Sequence, residues 1–241
     1  MPNILNALSY HLPIMLHQLM PASLIIKIPT GELRGKKWYF GSGSFGMVLG
    51  THEREATLLF SNLVRKGQTV YDVGAHVGYY TLLSSELVGK TGVVVSFEPN
   101  PRNLKFLEKN LSINHYYNVK IIRACLGDKT ETVSFSTEDD SSTGRVRKNG
   151  NLRVKMFRLD DLIGNQTIPP PDFVKIDVEG AEMLVFEGSR NTFSNYHPKL
   201  VLSTHGPEIH NQCLQFLKSN SYDFVAIDHK DLGSSKMLLA Y

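Results

Sequence analysis

From residue 69 onward, short apolar runs rich in β-branched side chains alternate with stretches of helical periodicity, the pattern of a mostly parallel sheet covered on both faces. The runs at 69–73, 93–97, 119–123, 173–177, 200–203, 224–227 and 236–240 read as strands. Residues 79–88, 103–113, 181–186 and 208–219 read as the helices between them. Gly89 suits a helix C-terminus, and Pro101 and Pro207 suit helix first turns. The expected fold is α/β, with seven strands flanked by helices over residues 51–241.

Two regions break the alternation. Residues 137–151 are polar and rich in turn formers, so they read as a loop, and loops of this length in a compact domain often carry function. Residues 1–50 read as a small helical and β extension, a packed cap or a dimer element, which leaves a homodimer open. Within it Leu5, Leu8, Leu12, Met15, Leu16 and Leu19 recur at helical spacing, disturbed at Pro13. No Lys or Arg precedes Lys27, so neither a signal peptide nor a membrane span is expected.

Composition narrows the class. The 241 residues are 41% hydrophobic and 20% charged, enough to bury one sizeable core. A formal net charge of +3 is far from the concentrated positive surface that a nucleic-acid backbone demands, so no nucleic-acid partner is expected. Cys125 and Cys213 stand far apart and have neither metal-ligand nor disulfide spacing, which fits a reducing, cytoplasmic setting.

The candidate chemistry begins where the first central strand ends. Val70-Tyr71-Asp72-Val73-Gly74-Ala75-His76-Val77-Gly78 runs from a strand through a glycine turn into a helix, the place where a doubly wound fold binds its ligand. The spacing of Gly74 and Gly78 is not the G-x-G-x-x-G of a dinucleotide binder, which argues against NAD. Asp72 would repel a pyrophosphate but attract the ammonium of a methionine moiety, which S-adenosylmethionine carries. The step to Glu98-Pro99-Asn100 suits one strand-helix-strand unit, and Glu98 can accept from both ribose hydroxyls. The turn at Cys125-Leu126-Gly127-Asp128 should border the adenine, with Cys125 as a packing residue and Asp128 as a polar contact.

With Asp72 to Gly78, Glu98-Pro99-Asn100, Leu159-Asp160-Asp161-Leu162 and Val174-Lys175-Ile176-Asp177-Val178-Glu179-Gly180-Ala181-Glu182 in view, residues 50–205 resemble the FkbM family of methyltransferases. The resemblance implies a Rossmann-like class I methyltransferase fold and S-adenosyl-L-methionine as cofactor. It implies Asp72, Gly74, Ala75, His76 and Gly78 at the methionine end, Glu98, Pro99 and Asn100 at the ribose, Cys125 and Leu126 at the adenine, and Asp177 beside the methyl group. It implies Thr51 to Glu55 closing over the methionine end. It also implies methylation of oxygen in a sugar or natural-product scaffold. Where such sequences often carry an acid after the fifth strand, this one reads Leu202-Ser203-Thr204-His205-Gly206.

Methyl transfer to a hydroxyl needs alignment, exclusion of water and removal of a proton. Asp177, Glu179 and His205, at the ends of neighbouring strands, are the expected catalytic group, with His205 as base because imidazole titrates near neutral pH. The same three residues offer oxygen and nitrogen donors to a divalent cation, an alternative left open. Arg145, Arg147, Lys148, Arg153 and Lys155 put positive charge in and after the polar loop, where an anionic acceptor such as an acidic sugar would be attracted. A non-catalytic S-adenosylmethionine-binding protein, an N-methyltransferase and an NAD-dependent dehydrogenase are the competing readings.

Overall fold

The computed structural model describes residues 20–137, 144–147, 149–228 and 230–241; the leucine repeat at 5–19 and Lys148 lie outside them. The described chain opens with β1 (Ile25–Lys27) and β2 (Lys37–Tyr39), an antiparallel pair, followed by α1 (Phe45–Leu49) and α2 (Arg54–Leu63). Ile28, Leu33 and Trp38 from this segment are fully buried in the same core as Phe60, Leu82 and Leu83. Polar contacts hold it there too. Asn114 Oδ1 accepts from the Lys37 N–H at 2.9 Å and Asn110 Oδ1 from the Tyr39 N–H at 3.0 Å. Residues 20–50 are therefore packed into the body of the fold.

The central sheet contains β3 (Thr69–Val73), β4 (Val93–Phe97), β5 (Val119–Ile122), β10 (Phe173–Ile176), β11 (Lys199–Ser203), β12 (Phe224–Ala226) and β13 (Met237–Ala240). Their order is β12-β13-β11-β10-β3-β4-β5, with β13 antiparallel to both neighbours and the other pairs parallel. Side chains alternate across the strands. Val70 and Val94 face a core with α2, α3 (Tyr79–Val88) and α4 (Pro101–Ile113), while Tyr71, Val73 and Val95 face one with α5 (Leu159–Gly164), α6 (Glu182–Glu187), α7 (Arg190–Tyr196) and α8 (Pro207–Ser219). The chain winds outward in opposite directions from β3 and β10, so a crevice opens at their C-terminal ends.

The interruption after β5 carries strands on both sides of the expected loop at 137–151 and one short strand within it. β6 (Cys125–Leu126), β7 (Glu131–Ser136), β8 (Arg145–Val146) and β9 (Leu152–Phe157) form a second sheet in the order β6-β9-β7-β8. β7 and β9 pair antiparallel across the polar segment, and β8 pairs back onto β7, which carries Arg145 and Val146 to the crevice. The short α5 and α7 are also absent from the expected elements. In α7 only Thr192 and Phe193 are buried, too few for a readable apolar stripe.

Candidate active site

The glycine turn after β3 is shaped first by the chain's own packing. Gly74 has φ +80°, and a Cβ there would stand 1.9 Å from the Asp177 carbonyl oxygen, so glycine lets the ends of β3 and β10 touch. Gly78, at φ +95°, plays the same part against α4, where a Cβ would meet a Leu107 methyl at 2.5 Å. Gly74 also borders the crevice; Gly78 is not on its wall. This differs from the expectation that both glycines make room for a ligand.

Glu98 follows β4 and is 5% exposed. Its Oε2 accepts from the His76 N–H at 2.7 Å and its Oε1 from the Asn100 N–H at 2.8 Å. Burial nevertheless pushes its carboxyl up to about 7. Asn100 stands behind Glu98 and off the cavity wall, where its side chain caps α4 by accepting from the Arg102 N–H. Burial likewise lowers His76 to about 4, and its Nε2 is buried without a partner among the described residues. Ala75, Pro99, Phe97, Cys125 and Leu126 complete this end of the cavity. Burial pushes the Cys125 thiol up to about 12, consistent with packing and not with nucleophilic chemistry. Asp128 does not reach the wall.

Asp72 is placed differently from expectation. It is 1% exposed and lies beneath the cavity, where Oδ2 accepts from the Thr81 hydroxyl at 2.6 Å and Oδ1 lies 3.7 Å from Lys175 Nζ. Strand register is the reason: Asp72 and Lys175 are Cα partners on adjacent parallel strands. Lys175 Nζ also lies 3.4 Å from Asp177 Oδ2 and 5.1 Å from the centre of the Tyr80 ring. Burial opposes the charge on Lys175, but Asp177 and Asp72 hold its ammonium above the usual lysine range. Burial likewise works against the charge on Asp177, yet Lys175 and His205 hold that carboxyl below its usual range.

Asp177 forms part of the wall shared by the cavity and a wider cleft, together with Glu179, Glu53, Arg145, Val146 and Ala181. Asp177, Glu179 and His205 do come together: His205 Nε2 is 3.6 Å from Asp177 Oδ1 and 3.6 Å from Glu179 Oε2. The other ring nitrogen is 2.6 Å from Glu182 Oε1, whose side chain is fully buried. That hydrogen bond, against the effect of burial, raises His205 above the ordinary imidazole range, which works against its taking a proton near neutral pH. Thr204 also lines the cleft, with its hydroxyl engaged by His210 Nδ1 at 2.9 Å.

Of the expected basic residues, Arg145 and Arg147 line the cleft, joined by Lys236, whereas the exposed Arg153 bonds back to Ser134 and Thr132. Sequence reasoning missed Lys175, Tyr80 and Glu182. The Lys175 signal was a lone charge inside a wholly buried apolar strand, Phe-Val-Lys-Ile. Glu53 was anticipated only as part of a closing segment; it borders both spaces from a left-handed backbone position, φ 43°, and accepts from the Tyr80 hydroxyl at 2.9 Å.

A seven-stranded sheet with one antiparallel strand and a crevice at the β3/β10 switch defines the Rossmann-like class I methyltransferase fold. Residues 72–224 match the methyltransferase FkbM domain, and the chain belongs to that family. It is 27% identical over 145 residues to the hexuronic acid methyltransferase AglP of Haloferax volcanii, covering 59% of each chain. A shorter match, 39% identical over 59 residues, joins it to protein-L-isoaspartate O-methyltransferase 1 of Archaeoglobus fulgidus, covering 24% of this chain and 27% of that one. The crystal structure of methyltransferase FkbM from Methylobacillus flagellatus superposes with a TM-score of 0.56 at 21% identity, covering 75% of this chain and 46% of the other. The chain thus covers 59% of the Haloferax relative's length and 46% of the Methylobacillus protein's.

Proposed function

We propose that this chain is an S-adenosylmethionine-dependent O-methyltransferase whose acceptor is a hydroxyl of an acidic sugar held in the cleft. The observation that carries the reading is the common wall of Asp177, Glu179, Glu53 and Arg145, across which a donor in the cavity and an acceptor in the cleft would meet. The residues present fit the cofactor. Glu98 offers a fixed carboxylate to two ribose hydroxyls, His76 Nε2 is a buried polar atom in want of a partner, and Phe97, Cys125 and Leu126 supply an apolar wall for the adenine. Asp177 and Glu53 give the other end the negative character that suits a cationic donor. S-adenosylmethionine supplies an activated methyl group when bound.

The residues of the cleft divide the remaining work. Arg145, Arg147 and Lys236 attract and orient an anionic acceptor, and Asp177, Glu179 and His205 stand where its hydroxyl must lose a proton. The hexuronic acid named for the archaeal relative is a substrate of this charge type.

Calorimetric titration with S-adenosylmethionine and, separately, NAD tests the cofactor. Micromolar binding of the first alone is expected, and binding of neither overturns the reading. Labelled-methyl transfer to uronic acid glycosides and to their neutral hexose counterparts tests the acceptor. Equal use of both would remove the anionic part of the proposal.

A further inference from the structure

Asp177 and Glu179 of the common wall are joined by His205 of the cleft in one close cluster. One donor atom from each of Asp177, Glu179 and His205 lies within 4.8 Å of the others. Each ligand's remaining freedom is taken up. Asp177 directs Oδ2 to Lys175, which leaves Oδ1 toward His205. The turn after β10 places Glu179 in the left-handed region, φ 53°, and its carboxylate reaches the same point. Glu182 grips His205 Nδ1 at 2.6 Å, so the imidazole presents Nε2.

Glu182 is the independent observation. It is 0% exposed, its Oε1 is aimed at the cluster through His205, and its Oε2 is buried with no partner among the described residues. Burying a carboxylate is costly, and a buried carboxylate that fixes one histidine nitrogen while the other faces oxygen donors is the arrangement that orients a metal-bound histidine. The distances agree. Nε2 stands 3.6 Å from each carboxylate oxygen, beyond hydrogen-bond reach of either and equidistant from the two. Ligand atoms about 2.1 Å from a shared ion are separated by about 3.0–3.5 Å, so Nε2 needs to approach each oxygen by only a few tenths of an ångström, and the two carboxylate oxygens already lie within 4.8 Å of each other.

We infer that Asp177, Glu179 and His205 bind one divalent cation of the Mn2+ or Mg2+ type, with Glu182 as the positioning residue and the open coordination positions facing the cleft. Two carboxylates and one imidazole suit such an ion, and all three residues line the cleft in which the acceptor would lie. Binding of the ion stands on the geometry alone; its role rests on the methyltransferase reading. In that role the ion holds the acceptor hydroxyl and acidifies it, and the proton leaves to water through the cleft. An oxygen lone pair then forms the new bond to the methyl carbon as the carbon–sulfur bond breaks, its electron pair returning to sulfur. His205 acts as a ligand in this scheme and takes no proton.

The test is titration of chelator-treated full-length protein with Mn2+, followed by electron paramagnetic resonance, with S-adenosylmethionine binding measured on the same sample. One bound Mn2+ at micromolar affinity is expected, carrying a nitrogen modulation that disappears in H205A. Affinity should fall at least tenfold in E179Q and H205A and between ten- and a hundredfold in E182Q, while cofactor affinity changes less than twofold in H205A and E182Q, whose residues are not on the cavity wall. An unaltered free-Mn2+ spectrum, or binding indifferent to E179Q and H205A, overturns the site. If the same sample still binds S-adenosylmethionine, the methyltransferase reading survives that failure.

Discussion

Lys175 Nζ lies 3.7 Å from Asp72 Oδ1 and 3.4 Å from Asp177 Oδ2, a buried ammonium shared between a carboxylate of its neighbouring strand and one at the mouth of the crevice. Removing one member of such a group leaves uncompensated buried charge, which costs about 3–5 kcal/mol. Lys175→Ala should lose that much stability in urea denaturation. The double variant Lys175→Ala/Asp72→Ala should recover part of it. A double variant no more stable than the single one would show that the carboxylate is not the source of the loss.

Gly74 and Gly89 both have positive φ but differ in their surroundings. A Cβ at Gly74 meets the Asp177 carbonyl at 1.9 Å, whereas one at Gly89 meets nothing within 4 Å. Gly89, at φ 66° and ψ −166°, occupies a backbone region essentially reserved for glycine, so Gly89→Ala should cost only that backbone strain, about 1–3 kcal/mol. Gly74→Ala must also force apart the ends of β3 and β10, and it should either fail to fold or lose several kcal/mol and cofactor binding together. Thermal melts of the two variants, side by side, decide this.

Glu98 links pH to stability. Its carboxyl is raised from 4.5 to about 7 by burial, with Asp72 adding to the rise and the N–H groups of His76 and Asn100 opposing it. The folded protein therefore holds this proton more tightly than the unfolded chain. The stability it contributes is present below about pH 4.5 and lost as pH rises through 7. Glu98→Gln should match the native protein near pH 4.5 and gain up to about 3 kcal/mol on it at pH 8. The same variant should bind S-adenosylmethionine at least tenfold more weakly at pH 8, where the native carboxylate is charged. Urea denaturation at the two pH values and calorimetry at pH 8 check both halves; a pH-independent stability difference would refute the first.

Arg147 and Lys236 line the cleft but not the cavity. Their replacement by Ala should raise the acceptor KM several-fold and flatten its dependence on ionic strength, since exposed charges act through screened long-range attraction. Cofactor affinity should not change. Unaltered acceptor KM in the double variant would locate the acceptor elsewhere.

Much of this protein is legible in its sequence because the responsible forces are local. The strands Thr69–Val73 and Val93–Phe97 and the helix Tyr79–Val88 follow from apolar runs and periodicity with the boundaries that the structure shows. The glycine turn and Glu98 are readable for the same reason, since a strand, a turn and a helix in succession fix where the next carboxylate falls. The resemblance that these motifs carry extends to the family.

What the sequence does not determine depends on which strands lie side by side. Asp72 reads as a ligand for an ammonium; only the pairing of β3 with β10 sets it opposite Lys175, which fills that role from within the protein. Glu182 reads as one more helix carboxylate until β11 brings His205 against it from 23 residues away. The polar segment reads as a loop because its turn-forming composition hides the two-residue β8, whose pairing with β7 brings Arg145 to the common wall. Local patterns specify the elements, since each residue's neighbours in the chain supply the signal. The site is a matter of through-space distances between charges on elements remote in sequence, and those exist only once the sheet has assembled.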